Sequence, residues 1–217
     1  MAELHRPGIA IMASGSGTTA EAVIRATQTE ILDAEIGLII CSRPPVEAGI
    51  YERKVWLNEE LGLDIPVIHI SGKTYPGGPR AKGEQTEEEA EAIAEALGNK
   101  FVLTLLAGYM RKVHPLVLAD RDVINTHPGP LPQTAGMYGV NVQKHVLETG
   151  LGYSAHTVHL VDENYDTGPV IAVHKVPVLS HHTAETLFDD VQIVEKENLP
   201  KDMDELLRIN GKNRVNS

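Results

Sequence analysis

The regular part of the chain begins with Gly8-Ile-Ala-Ile-Met-Ala13, followed directly by Ser14-Gly-Ser-Gly-Thr-Thr19. The first run is short and apolar, and the second has the small polar residues of a tight loop. Residues 20–29 then have the alanine, glutamate and isoleucine content of a helix. Strand, glycine-rich turn and helix form the first half of a βαβ unit, so the sequence predicts an α/β fold.

The same alternation continues toward residue 150. Further strands are predicted from apolar runs at Glu35–Cys41, 65–70, 101–107 and 122–125. Helices are predicted at residues 46–61, before Gly62, and at residues 84–97. Strands that alternate with helices indicate a mostly parallel central sheet flanked by helices.

The pattern changes after residue 150. Residues 153–161 and 170–178 are β-rich and are separated by a short acidic segment, so we expect an antiparallel strand pair near the C-terminus. Residues 183–199 predict a closing helix. No shift in composition divides the chain, and residues 1–217 are therefore predicted to form a single domain.

The stretch from residue 71 to residue 83 is the least regular part of the chain. It contains four glycines and two prolines among basic residues. Its length favours a functional flap or a mobile connection over a tight turn.

Charge and composition exclude several classes of partner. The formal net charge is −11, whereas a nucleic-acid duplex or an anionic membrane requires a basic face. The N-terminus lacks a signal region, no apolar run approaches the ~18 residues that span a bilayer, and Cys41 is the only cysteine. We expect a cytoplasmic monomer or homodimer that acts on small molecules, with Cys41 buried in a strand.

The glycine-rich turn Ser14-Gly-Ser-Gly-Thr18 has two interpretations. Glycines let a ligand approach the backbone, and the helix start offers N–H groups with partial positive charge, which suits a phosphate. The turn is not a P-loop because no lysine follows, and Ala20 stands where a G-x-G-x-x-G motif has its last glycine. A tight structural turn explains these residues equally well.

Asn125 and His127 stand two residues apart at the end of a predicted strand, so their side chains point the same way. Ligands of open α/β sheets bind beyond the carboxyl ends of strands. An amide donor beside an imidazole can stabilise an oxyanion and handle a proton. The pair is a catalytic candidate, although a histidine that only caps a loop fits the same pattern.

Two more stretches have both a structural and a functional interpretation. The acidic loop Asp162-Glu-Asn-Tyr-Asp-Thr-Gly-Pro169 is typical of a solvated connection, but its turn can hold Asp166 beside His127 and raise the pKa of that imidazole. Leu105-Leu-Ala-Gly-Tyr-Met-Arg111 follows a buried strand. Its Met110 and Arg111 either pack internally or line a flat apolar cleft.

Taken together and in this order, the four stretches closely resemble the folate-dependent formyltransferases that act on phosphoribosylglycinamide in purine synthesis. The similarity runs from about residue 8 to about residue 200, and the Asn-x-His-Pro, Asp-x-Gly-Pro and Leu-Ala-Gly-Tyr-Met-Arg elements are jointly specific. The resemblance implies a Rossmann-like formyltransferase fold. It also implies transfer of the formyl group of 10-formyltetrahydrofolate to the primary amine of 5'-phosphoribosylglycinamide.

The resemblance also assigns roles to particular residues. Asn125, His127 and Asp166 would be the catalytic set, stabilising the tetrahedral intermediate and moving protons. The phosphorylated amine would be held by Ser16, Gly17, Thr18, Thr19 and Glu195. The folate would lie against Met110, Arg111, Val113, Asp162 and Tyr165. No metal is required, and the histidines of the predicted strands have no ligand spacing along the chain.

Some positions depart from the family pattern. Thr19-Ala20 stands where the family usually has Asn-Leu, and the neighbourhood of Gln85 lacks an arginine that the family offers to its ligands. Three alternatives therefore stay open: a formyltransferase for a sugar-nucleotide amine, a formyltetrahydrofolate hydrolase, and a non-catalytic folate- or nucleotide-binding protein. A tRNA formyltransferase is disfavoured, because it would carry a basic surface and a further C-terminal domain.

Overall fold

The computed structural model describes residues 6–77 and 83–215. Within these ranges strands and helices alternate as predicted. The strands are β1 (Gly8–Ala13), β2 (Glu35–Cys41), β3 (Val67–His69), β4 (Leu103–Ala107), β5 (Val123–His127), β6 (Tyr153–Leu160) and β7 (Val170–Pro177). The α-helices are α1 (Thr18–Ala26), α2 (Ile50–Leu61), α3 (Glu87–Leu97), α4 (Pro115–Leu118), α5 (Val140–Glu148) and α6 (Ala184–Val215). No described helix is long and apolar enough to cross a membrane.

The strands form one sheet in the order β3-β2-β1-β4-β5-β6-β7. The first five are parallel to one another, and β6 runs antiparallel to both β5 and β7. The predicted α/β class, the mostly parallel sheet and the antiparallel pair near the C-terminus are confirmed. The carboxyl ends of β1 to β5 consequently meet at one edge of the sheet.

Helices cover both faces of the sheet. On β1, Ile9 and Ile11 belong to the core cluster that includes residues of α1, α2 and α6, whereas Ala10 and Met12 belong to the cluster with α3 and α4. All four side chains are fully buried, and burial of each isoleucine stabilises the fold by about 1.5–3 kcal/mol. Cys41 is buried in the first cluster, as predicted.

Local chemistry moves several helix boundaries from the predicted positions. Helix α3 begins at Glu87 rather than 84, because Thr86 and Glu89 form a capping box. The helix predicted at residues 46–61 is divided into a 3-10 turn at Pro45–Glu47 and α2, which ends at Gly62 with φ 66°. Helix α1 begins at Thr18, before the predicted residue 20.

The closing helix is longer than predicted. It continues through Pro200 to Val215, although a proline inside a helix costs roughly 3 kcal/mol. Leu199 and Met203, on either side of Pro200, are fully buried in the core. Asp204 Oδ1 also accepts a hydrogen bond from the backbone N–H of Asp33 at 3.1 Å. Tertiary packing therefore maintains the helix beyond the predicted end at residue 199.

Strand β5 extends two residues beyond its predicted end. Asn125 lies opposite His159 of β6, and His127 lies opposite Thr157. This register carries the Asn125 and His127 side chains to the carboxyl edge of the sheet.

Part of the flap predicted at residues 71–83 lies outside the described residues, namely residues 78–82. The part before it, Ser71 to Gly77, begins with a turn in which Thr74 and Tyr75 donate backbone hydrogen bonds to Ser71 O.

Candidate active site

A cavity of about 520 Å³ opens beyond the carboxyl ends of β4 and β5, where open α/β sheets bind their ligands. Loops after β4, β5 and β6 and one face of α6 form its wall. Its lining includes all the predicted catalytic and folate-contacting residues, namely Asn125, His127, Asp166, Met110, Arg111, Val113, Asp162 and Tyr165. Of the residues predicted to hold the phosphorylated amine, Thr19 and Glu195 line the cavity.

The carboxylate of Asp166 joins the two predicted side chains of β5. Its Oδ2 lies 3.4 Å from His127 Nδ1, and its Oδ1 accepts a hydrogen bond from Asn125 Nδ2 at 3.3 Å. Asp166, 41 residues beyond Asn125 in the sequence, thus lies with Asn125 and His127 within reach of one reacting centre. An amide donor, an imidazole and a carboxylate are together able to bind an oxyanion and transfer a proton.

The backbone at Asp166 is held in a conformation that few non-glycine residues adopt. Its φ is 56°, in the left-handed region, which costs on the order of 1 kcal/mol or more. The backbone N–H of Gly136 donates to Asp166 Oδ2 at 2.8 Å. Gly168 lies so close to the Leu160 carbonyl that a Cβ atom would overlap it. Tertiary contacts therefore hold the carboxylate over the cavity.

A threonine determines which nitrogen of His127 carries the proton. Thr134 Oγ1 lies 2.9 Å from His127 Nε2 and 2.9 Å from the carbonyl oxygen of Pro130. Because that carbonyl only accepts, the hydroxyl proton goes to Pro130 and His127 Nε2 carries a proton that it donates to Thr134. In neutral His127 the basic nitrogen is therefore Nδ1, beside Asp166.

Burial and charge set the protonation of this pair. Burial lowers the pKa of His127 and outweighs the opposite effect of Asp166, so the expected increase in the pKa of this imidazole is wrong in its net direction. Burial alone would raise the pKa of Asp166, but His159, His127 and the N–H of Gly136 hold it below its usual range. At neutral pH the site therefore holds a neutral imidazole beside an ionised carboxylate.

His159 orients the amide of Asn125. Its Nδ1 lies 2.8 Å from the Leu160 carbonyl and so carries the proton, which leaves Nε2 to accept from Asn125 Nδ2 at 3.1 Å. Since Asp166 also accepts from Asn125 Nδ2, the amide nitrogen faces the carboxylate. The Asn125 amide therefore presents donors, as an oxyanion requires.

The buried carboxyl of Glu195, on α6, also lines the cavity. Thr19 Oγ1 donates to Glu195 Oε1 at 2.6 Å, which joins α1 to α6. Burial raises the pKa of Glu195, and hydrogen bonds from Thr19 and Thr126 oppose this only in part. The carboxyl oxygens accept hydrogen bonds from hydroxyl groups.

The remaining residues of the predicted phosphate site lie on the turn before α1. Gly17, with φ 78°, precedes the first helical residue, Thr18, and a Cβ atom on Gly17 would overlap the Ile50 side chain. Ser16 O accepts a hydrogen bond from Arg53 Nε at 2.9 Å. Among the described residues, Ser16, Gly17 and Thr18 do not line the cavity; they adjoin Thr19, which does.

The predicted folate side of the cavity contains exposed apolar side chains and an arginine whose charge is paired with a buried glutamate. Met110 and Tyr165 are 46% and 48% exposed, whereas Val113 is buried and belongs to the core cluster that includes residues of α3 and α4. Arg111 Nη2 forms an ion pair with the buried Glu89 at 2.7 Å. The Asp162 carboxylate accepts from Asn164 N and from the Thr167 hydroxyl, so it organises the loop that carries Asp166.

Sequence reasoning missed three groups in this site. Thr134 and Gly136 lie in the proline- and glycine-rich segment after His127, where composition indicates a loop but not its contacts. The sequence around His159 predicts a strand but not its neighbours. Only the pairing of β6 with β5 brings His159 to Asn125. The register was the missing signal.

Comparison with known proteins agrees with this geometry. A family model described as formyl transferase matches residues 8–203. The chain belongs to the formyl transferase family.

Three relatives match it over nearly their whole length. The chain is 32% identical over 206 residues to the phosphoribosylglycinamide formyltransferase of Bacillus subtilis (strain 168), covering 94% of this chain and 96% of that protein. The crystal structure of the phosphoribosylglycinamide formyltransferase of Bacillus halodurans is 34% identical with a TM-score of 0.77, covering 92% and 95% of the two chains. Glycinamide ribonucleotide transformylase 1 of Geobacillus kaustophilus is 33% identical with a TM-score of 0.76, covering 94% and 100%.

Proposed function

We propose that the chain transfers the formyl group of 10-formyltetrahydrofolate to the primary amine of 5'-phosphoribosylglycinamide, a step of purine biosynthesis. The observation that carries the proposal is the meeting of His127, Asp166 and Asn125 in one cavity. Near full-length similarity to phosphoribosylglycinamide formyltransferases supports the choice of substrates.

His127 is the proton acceptor of the proposed reaction. The amine of the acceptor attacks the formyl carbon, and the new C–N bond leaves the amine with a proton that it must lose. His127 Nδ1 has a free electron pair because its Nε2–H is directed at Thr134. Asp166, 3.4 Å away and ionised, stabilises the imidazolium that forms. The proton then passes to the departing folate nitrogen, so that none is gained or lost overall.

Asn125 binds the negative charge that develops on the formyl oxygen. In the described site both amide hydrogens are directed at His159 and Asp166, over distances of 3.1 and 3.3 Å. We expect the formyl oxygen to replace one of these long contacts when substrates bind. Holding the amine and the formyl group together supplies further acceleration by proximity.

Glu195 and Thr19 position the phosphorylated amine in the cavity. The buried carboxyl of Glu195, whose pKa is raised by burial, suits the ribose hydroxyls, and the start of α1 offers N–H groups to the phosphate. We propose that Ser16, Gly17, Thr18 and Thr19 hold that phosphate. The local N–H groups are attractive to an anion in spite of the net charge of −11.

The folate is proposed to lie on the other side of the reacting centre. Exposed Met110 and Tyr165 offer apolar surface to its ring system. The charge of Arg111 is already paired with Glu89. Arg111 therefore offers the folate the flat face of its guanidinium group. The binding partners predicted for the chain remain small molecules, and a cytoplasmic monomer or homodimer remains the predicted state.

One assay separates the possible functions. Purified protein is given 10-formyltetrahydrofolate with and without phosphoribosylglycinamide, and the folate product is followed. Acceptor-dependent product supports the proposal. Acceptor-independent product indicates a hydrolase, and no product with this amine but turnover with a sugar-nucleotide amine indicates a different acceptor.

The phosphate site has its own test. The dephosphorylated acceptor should have a KM higher by at least about tenfold, because one charge-assisted site is lost. Equal kcat/KM values for the two acceptors would contradict the assignment of residues 16–19.

A further inference from the structure

A second group of potential ligands lies where β6 and β7 contact α6. His156 and His174 are opposite one another on the two strands, and Asp202 extends from the helix. Directly opposed residues on one face of an antiparallel pair have neighbouring side chains. One ligand atom from each of the three residues lies within 4.8 Å of the other two.

The nitrogens of His156 are in the state that a metal ligand needs. Its Nε2 lies 2.8 Å from Thr126 Oγ1, whose own hydrogen bond goes to Glu195. Nε2 therefore carries the proton and Nδ1 has a free electron pair. This Nδ1 is buried and has no hydrogen-bond partner among the described residues. An imidazole that donates one N–H to an oxygen and leaves the other nitrogen open is the usual form of a histidine ligand.

His174 and Asp202 complete the group on the solvent side. His174 Nε2 lies 2.9 and 3.1 Å from the two carboxylate oxygens of Asp202. The His174 side chain is 29% exposed, so an ion and a water molecule can enter from solvent. The rings of His156 and His174 lie nearly parallel, with centroids 5.7 Å apart, so small side-chain rotations suffice to bring three ligand atoms around one ion.

We propose that His156, His174 and Asp202 form a binding site for a divalent transition-metal ion, with Zn²⁺ as the best match. Two imidazoles and a carboxylate are ligands that Zn²⁺ accepts in fourfold coordination, with water in the fourth position. The bound ion ties the β6–β7 hairpin to α6. It lies outside the cavity lining, and through His156 and Thr126 it supports Glu195.

Spacing along the chain did not predict the site, since the two histidines meet only through strand pairing.

The test is Zn²⁺ binding to the full chain after treatment with a chelator. Isothermal titration with Zn²⁺ alone should give one ion per chain, and Zn²⁺ should raise the Tm. His174→Ala and Asp202→Asn, both at partly exposed positions, should each lower the affinity by about 100-fold. Co²⁺ should give the visible absorption of a fourfold site in the wild type and lose it in both variants.

The matched control is His181→Ala, because exposed His181 contacts His182 in another histidine pair. This variant should bind Zn²⁺ as the wild type does. Absence of binding in the wild type, equal binding in the His174 and Asp202 variants, or loss of binding in His181→Ala would overturn the proposal. None of these outcomes depends on formyl transfer, so the two proposals fail separately.

Discussion

Individual hydrogen bonds determine the chemistry of the site. Sequence could place Asn125 and His127 at a strand end, because their spacing and the strand pattern are local. It could not determine the protonation of His127, which depends on burial and on Thr134, seven residues further along the chain. The carboxylate of Asp166 was predicted to raise the pKa of His127, and desolvation proves the stronger influence.

Thr134→Val tests the tautomer assignment. Valine keeps the shape but removes the acceptor of His127 Nε2–H, so Nδ1 is no longer fixed as the base. We expect kcat to fall by about tenfold, part of the roughly 10²–10⁴ that a positioned base contributes. The hydrogen bond that the Thr134 hydroxyl accepts from Nε2–H also favours the protonated imidazole, so the acidic limb of the kcat/KM profile should move to lower pH.

The control for this variant is Thr149→Val. Thr149 donates to the carbonyl oxygen of His145 at 2.7 Å and is exposed at the end of α5, far from the cavity lining. It should change neither kcat nor the pH profile. An unchanged profile in Thr134→Val would remove Thr134 from the mechanism.

At the scale of elements, sequence pattern predicted the order and type of most strands and helices. Apolar runs and glycine stops are local signals, and Glu35–Cys41 was predicted to the residue. Boundaries that depend on tertiary contacts were missed: α6 passes Pro200 because Leu199 and Met203 are buried. The antiparallel β5–β6 pairing, which brings His159 to the site, has no signature along the chain.

Gly168→Ala tests whether the loop after β6 positions the carboxylate. A Cβ atom at this position overlaps the carbonyl oxygen of Leu160, so the loop must move and carry Asp166 away from His127. We expect kcat to fall by about 100-fold and the free energy of unfolding to fall by about 1–3 kcal/mol. Activity assays and urea denaturation measure the two effects.

Gly152→Ala is the matched control at the other end of β6. A Cβ atom there has no neighbour within 4 Å among the described residues. Its kcat should equal that of the wild type. If Gly168→Ala also retained full activity, the loop would not determine the position of Asp166.

At the scale of the whole molecule, α1, β5 and α6 meet at Glu195. Thr19 of α1 and Thr126 of β5 both hydrogen-bond to this carboxyl. A buried carboxyl with a raised pKa destabilises the fold at neutral pH, because the unfolded chain releases its proton more readily. Such a group is expected where function opposes stability.

Glu195→Gln should therefore stabilise the protein while it weakens acceptor binding. The pKa of Glu195 is higher in the folded chain than its ordinary value of 4.5, so its stabilising contribution is full below pH 4.5 and decreases as pH rises. Glutamine does not ionise. At pH 8 the variant should be more stable by roughly 1 kcal/mol or more, with a KM for the acceptor raised about tenfold.

Urea denaturation at pH 5 and pH 8 measures the stability difference. The exposed Glu197, two residues along the same helix, provides the control substitution Glu197→Gln, which should have little effect at either pH. A stability difference for Glu195→Gln that shrinks between pH 5 and pH 8 would contradict the assigned direction of the pKa shift.

The most direct test of the proposed activity is formyl transfer by His127→Ala and Asp166→Asn in single-turnover experiments with both substrates bound. Both variants should remain folded, and each should transfer the formyl group at least about 100-fold more slowly, while His181→Ala keeps the wild-type rate. If either variant transferred it at the wild-type rate, proton acceptance by His127 beside the ionised Asp166 would not be part of the reaction.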